Sequence, residues 1–227
     1  MVARRTDSRS RMIETAFELF RCRGYHGTAF SDVVEQSGAP RGSIYYHFPG
    51  GKRELALETI AMAGDQIEKM VDQASRKAHD PLSLIRALAQ MQMQRLEKSG
   101  YCSGCAIATI VLELAPMDEE VSAESEKVFD RWRSALVERF EQWGVEHPRA
   151  GALADLVVTT FEGGLVVSRA ARSSEPFWST IDALIDLLDR DSELYFGQVD
   201  GRGDVVVQTE RLIAGTTEGM GSPGSCE

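Results

Sequence analysis

Apolar positions along this 227-residue chain recur at three- and four-residue intervals almost throughout and nowhere alternate at period two over a convincing length. That pattern predicts an all-α protein of about nine helices. Met12, Ile13, Ala16, Phe17, Leu19 and Phe20 fall on one face of a first helix that Thr6 to Asp7 can cap and Gly24 ends. Thr28 is expected to cap a second. Val33 and Val34 turn inward there, Gly38 supplies the left-handed backbone of a sharp turn, and Pro40 pre-sets the start of a third, short helix anchored by Ile44 and Phe48. Two short helices joined in this way read as a helix-turn-helix.

Longer helices follow, over about 53–77, from Pro81, over about 106–115 to Pro116, over about 119–143 to Gly144, from Pro148, and over about 176–195. The helix after Pro148 carries the run Leu153, Leu156, Val157, Thr160, Phe161, Gly164, Leu165, Ser168, and the last one repeats the stripe with Phe177, Ile181, Leu184, Ile185 and Leu188. Two such stripes exceed what a body of about five helices readily covers by itself. A dimer interface is therefore expected, with Phe161 and Leu165 in its core and Gly163 and Gly164 permitting close helix approach. Residues 197–227 change to a Gly-rich, polar composition and are read as a flexible tail, in which residues 204–207 suit at most a brief strand.

The charge is uneven. The chain carries a formal charge of -10, yet through Arg53 nine bases face five acids, a balance of +4, which leaves -14 for the rest. A basic end meets phosphate while an acidic body is repelled. In the third helix Arg41, Ser43, Tyr45 and His47 project away from the Ile44 and Phe48 anchors. Their chemistry suits phosphates and base edges, and Gly42 allows close backbone approach.

The segment GYHGTAFSDVVEQSGAPRGSIYYHFPGGKRELALETI resembles the DNA-binding domain of the TetR family of transcriptional regulators over roughly residues 6–66. Ala39-Pro40, the Pro49-Gly50-Gly51-Lys52 linker and Gly104-Cys105-Ala106-Ile107-Ala108-Thr109 resemble its LmrA/YxaF-like branch. The resemblance implies a three-helix DNA-binding domain in residues 1–66, with its motif at about 29–48. A larger helical effector-binding and dimerisation domain in 67–196 and the tail from 197 complete the expected layout. It also implies DNA contacts by Arg41, Gly42, Ser43, Tyr45, Tyr46 and His47, with Thr28, Ser31 and Lys52 at phosphates. The expected function is a dimeric repressor of a palindromic operator, released by a lipophilic or aromatic small molecule. Met91, Met93, Tyr101, Phe129, Trp132, Trp143 and Phe161 are the effector-binding candidates, each equally suited to plain core packing.

Enzymatic readings find little support. His26, His47, His79 and His147 lie in separate segments, and no GxSxG, HExxH, Walker or dinucleotide loop occurs. No cofactor and no metal are expected. Cys22, Cys102, Cys105 and Cys226 are too scattered for a disulfide framework, which leaves Cys102 and Cys105, a CxxC, as an alternative thiol or metal sensor. No run of apolar residues approaches the length of a membrane span and the N-terminus lacks a signal-peptide core, so a soluble cytoplasmic protein is expected.

Overall fold

The computed structural model describes residues 2–40 and 42–190, with side chains from Ser8, together with the backbone of two short strands. Nine helices are described: α1 (Val2–Arg23), α2 (Phe30–Ser37), α3 (Ile44–His47), α4 (Gly51–Ser75), α5 (Pro81–Lys98), α6 (Ala106–Leu114), α7 (Glu119–Gln142), α8 (His147–Ala171) and α9 (Glu175–Arg190). Strands β1 (Gln198–Val199) and β2 (Val205–Val206) pair antiparallel, so part of the expected brief strand is present. Asp204, Val207, Cys226 and most of the tail lie outside the described residues, as do residues 191–195 of the expected last helix.

Local rules account for most boundaries. Gly38 takes φ +64° as the cap of α2, a conformation that costs a side-chain-bearing residue about 1 kcal/mol or more. Asp80 caps α5 through the Ser83 N–H, and Ser83 answers with a reciprocal bond to the Asp80 N–H. Asp118 caps α7 through the Val121 N–H. Two expected caps differ. Helix α1 begins at Val2, ahead of Thr6 and Asp7, and α2 is preceded by Ala29, which makes no side-chain cap.

Two apolar clusters hold the chain together. One gathers Met12, Phe17 and Phe20 of α1, Val33 of α2, Ile44 and Phe48 around α3, and Leu55 and Ile60 of α4. It also takes in Ala106, Ile107 and Ile110 of α6, with Val121 and Val128 of α7. The other joins the ends of α4 and α7 to α5, α8 and α9. Helix α4 runs unbroken through both, so no loop separates the two halves at residue 66.

In the second cluster Trp132, Phe161, Phe177 and Trp178 meet edge to face, at centroid distances of 6.3, 5.4 and 6.0 Å. Such contacts add on the order of 1 kcal/mol each to the area they bury. Gly164 makes the α8–α9 approach possible, because a Cβ there would stand 2.6 Å from the Phe177 ring. Phe161 and Leu165 therefore face the subunit's own core and not a partner: they are 0% and 3% exposed. What α8 and α9 leave exposed is Leu156, Val166, Val167 and Leu187, and nothing packs on Gly163 of α8. Helix α8 is, among the described residues, long and apolar enough to cross a membrane by length and composition, in contrast to the expectation from apolar runs. Its apolar side is the wall of this core.

Candidate functional site

Helix α3 is held by its two anchors. Ile44 and Phe48 are buried, with the Arg9 guanidinium 5.3 Å from the Phe48 ring centroid, and that seating turns Tyr45 and Tyr46 outward at 68% and 64% exposure. The Tyr45 ring leans edge-on against Phe30 of α2, and the Tyr46 ring edge-on against His47. Gly42 and Ser31 are exposed, and Ser43 donates its hydroxyl to the Pro40 carbonyl. Arg41 lies outside the described residues.

Two expected phosphate contacts are placed differently. Thr28 is fully buried: its hydroxyl donates to the Gly24 carbonyl and its N–H to that of Tyr25, so it closes the α1–α2 turn and presents nothing to DNA. Lys52 lays its ammonium 4.1 Å from the centroid of the Tyr25 ring, where partial burial lowers its pKa and Glu113 opposes the shift. Other bases of this end are paired as well: Arg9 with Glu58, Arg23 with Asp32, and Arg53 with both Asp118 and Glu120. Arg53 holds the Asp118 carboxyl down at about 2, helped by the Val121 N–H.

The sequence pattern gave no sign of the bonds that tie this end to the rest. Glu113 of α6 accepts from the backbone N–H groups of Tyr25 and His26, at 3.1 and 2.6 Å. Arg21 donates Nε to the Gly104 carbonyl, and the Gly104 N–H returns a bond to the Arg21 carbonyl. Thr109 and Arg169 reach the Phe20 and Cys22 carbonyls. All these acceptors and donors on α1 belong to its last turn or the residues just after it, where backbone groups lack helical partners.

Beneath these bonds lies a cavity of about 40 Å³, room for a few waters. It is lined by Phe17 and Arg21 of α1, Gln66 and Met70 of α4, Gln92 and Arg95 of α5, residues 104–107, Trp132 and Glu162. Of the seven effector candidates it is lined by Trp132 alone. Met93 and Phe161 are fully packed, and Met91, Tyr101, Phe129 and Trp143 lie against the second apolar cluster. Glu162, which no motif marked, has both carboxyl oxygens closed to solvent and without a hydrogen-bond partner in bonding geometry. Burial raises its pKa from 4.5 to about 7, against the opposing pull of the adjoining Cys105 thiol.

The CxxC does not act as a pair here. Cys105 accepts from the Ala108 N–H at the start of α6, and burial followed by the Glu162 charge raises its pKa well above the ordinary thiol value. Cys102 instead adjoins Cys22, whose pKa burial and Cys102 push up to about 11. Neither Cys22 nor Cys105 is held as the reactive thiolate. Among the described residues no group of three or more His, Cys, Asp or Glu side chains could hold a metal ion.

Comparison with known proteins decides the family. Residues 12–59 match the model of bacterial regulatory proteins of the tetR family, and residues 81–182 match the C-terminal domain of LmrA/YxaF-like transcriptional regulators. The chain is 38% identical over 173 residues to the HTH-type transcriptional regulator Rv0196 of Mycobacterium tuberculosis, covering 74% of this chain and 87% of that protein. The chain belongs to the TetR family, in its LmrA/YxaF-like branch. YxaF of Bacillus subtilis is 30% identical, over 76% of this chain and 90% of its own length. The fold matches that of a TetR regulator from Chloroflexus aurantiacus with a TM-score of 0.70 at 24% identity, over 83% of this chain and 97% of that one.

The buried carboxyl generates a prediction. In the folded protein Glu162 keeps its proton to about pH 7, whereas the unfolded chain loses it from about 4.5. Its effect is thus to lower stability as pH rises through that window, by about 3 kcal/mol at roughly 1.4 kcal/mol per pH unit, and to change nothing above it. Denaturant titrations near pH 5 and pH 8 should show this loss in the wild type and its absence in Glu162→Gln. Equal pH dependence in both proteins would mean that the carboxyl is hydrated.

Proposed function

We propose that this TetR-family regulator is a cytoplasmic, non-enzymatic repressor that binds a palindromic operator as a homodimer and releases it when a small apolar or aromatic molecule enters and widens the cavity. The observation that carries the DNA-binding part is the outward display of Tyr45 and Tyr46 on a helix whose other side is locked by Ile44 and Phe48. Arg41, Gly42, Ser43, His47 and Ser31 complete the proposed contact set. Lys52 joins it only if its side chain leaves Tyr25.

The dimer reading rests on the Leu and Val side chains that α8 and α9 leave exposed, because clustered apolar side chains on a surface mark an association site. Two copies related by a two-fold axis place two α3 helices on successive major grooves. The release reading rests on α6. Its first residues line the cavity, and its Glu113 holds the N–H groups leading into the helix-turn-helix. A ligand that shifts α6 acts on both, provided it binds the released state more tightly than the DNA-bound one.

Two measurements check these readings. Arg41→Ala should weaken binding to the operator by about 1–3 kcal/mol, more than to a scrambled duplex. If Arg41→Ala combined with Tyr45→Ala leaves operator affinity unchanged, the head is not the DNA-reading element. Val167→Glu with Leu187→Glu should sediment as a folded monomer with native helical content, because each places a charge in an interface that must exclude water. A dimer from that variant would put the interface elsewhere.

A further inference from the structure

We infer that the cavity at the α1–α6 junction recognises a ligand carrying a protonated nitrogen, with Glu162 as its counter-ion and the Trp132 indole beside it. The inference rests on the cavity being the effector site and names the chemistry that site selects. Three features of the wall support it. Both oxygens of the Glu162 carboxyl are buried with no donor in bonding geometry, so the empty site holds a strong acceptor unused. A thiol is its polar neighbour, and thiols are weak donors. Trp132 lines the same space, and an indole is the aromatic surface that attracts cations most strongly.

The charged groups facing the site do not supply the missing partner. From α1, Arg21 gives its Nε to the Gly104 carbonyl and its Nη1 to Glu18. From α5, Arg95 is exposed at the rim, and burial of part of its side chain together with Arg21 lowers its pKa. Cys105, ahead of α6, is held as the thiol. The α4 lining offers Gln66 and apolar groups, and α7 offers Trp132. A ligand ammonium therefore meets one unpaired acceptor deep in the wall, and its arrival drives Glu162 to give up the proton it holds in the empty protein.

Calorimetry with phenethylamine, 2-phenylethanol and phenylacetate, three probes of one shape and different charge that each must widen the cavity to enter, tests this on the full-length protein. Near pH 8 phenethylamine should bind at least about tenfold more tightly than the alcohol, and about tenfold more weakly near pH 6, where protonation of Glu162 competes. In E162Q the amine should fall to the affinity of the alcohol, and the proton release on binding near pH 6, read from buffers of different ionisation enthalpy, should vanish. If the alcohol binds as well as the amine in the wild type, or phenylacetate binds best, the cation inference is overturned while the cavity remains the effector site. If none of the three binds at millimolar concentration, the cavity reading itself fails and the inference with it.

Discussion

The burial of α6 inside the helix-turn-helix core is the constraint on which the rest depends. Ala106, Ile107 and Ile110 are almost completely excluded from solvent among side chains of α1 and α4. Removing three apolar side chains from that position would expose surface worth several kcal/mol at about 25 cal/mol per Å². The DNA-reading end is therefore not an independent head on a stalk. It is completed by a helix that follows α4 and α5 in the chain, and the polar bonds of Glu113, Arg21 and Thr109 fix that helix in rotation and register. Because the same helix begins at the cavity wall, any change in the cavity meets the DNA-reading end through packed atoms.

Local patterning carried the helices and the motif, because caps, breakers and apolar spacing are written within a few residues of the feature they set. Gly38 and Pro40 announce the turn, and Ile44 with Phe48 announce which side of α3 is buried. Which way a broad apolar stripe faces is not written locally. Phe161 and Leu165 sit on a stripe wide enough to offer two faces, and only the aromatic contacts with Trp132 and Phe177 show that this one looks inward. Thr28 misled for a related reason: a threonine before a helix suits a cap, a phosphate contact or a buried turn alike, and the choice depends on Gly24 behind it.

Charge followed the same division. The excess of bases before residue 54 was legible by counting, yet Arg9, Arg23 and Arg53 are each paired with carboxylates, and three of the four partners, Glu58, Asp118 and Glu120, lie beyond that segment. Exposed pairs of this kind are individually weak and are screened by salt, so they remain available to exchange partners when phosphate approaches. Glu162 could not have been found by motif. A single glutamate on an amphipathic helix reads as solvated surface, and only the packing of α8 beside Trp132 and Cys105 closes its carboxyl off from water.

The central claim is that one helix, α6, belongs to both the cavity and the DNA-reading end. Amide hydrogen exchange of the free protein and of its complex with an operator duplex obtained by sequence selection tests it directly. The account predicts protection across residues 42–48 accompanied by altered exchange across 104–113, including the amides of Tyr25 and His26 that Glu113 holds. Protection confined to the helix-turn-helix, with residues 104–113, Tyr25 and His26 exchanging as in the free protein, would contradict it.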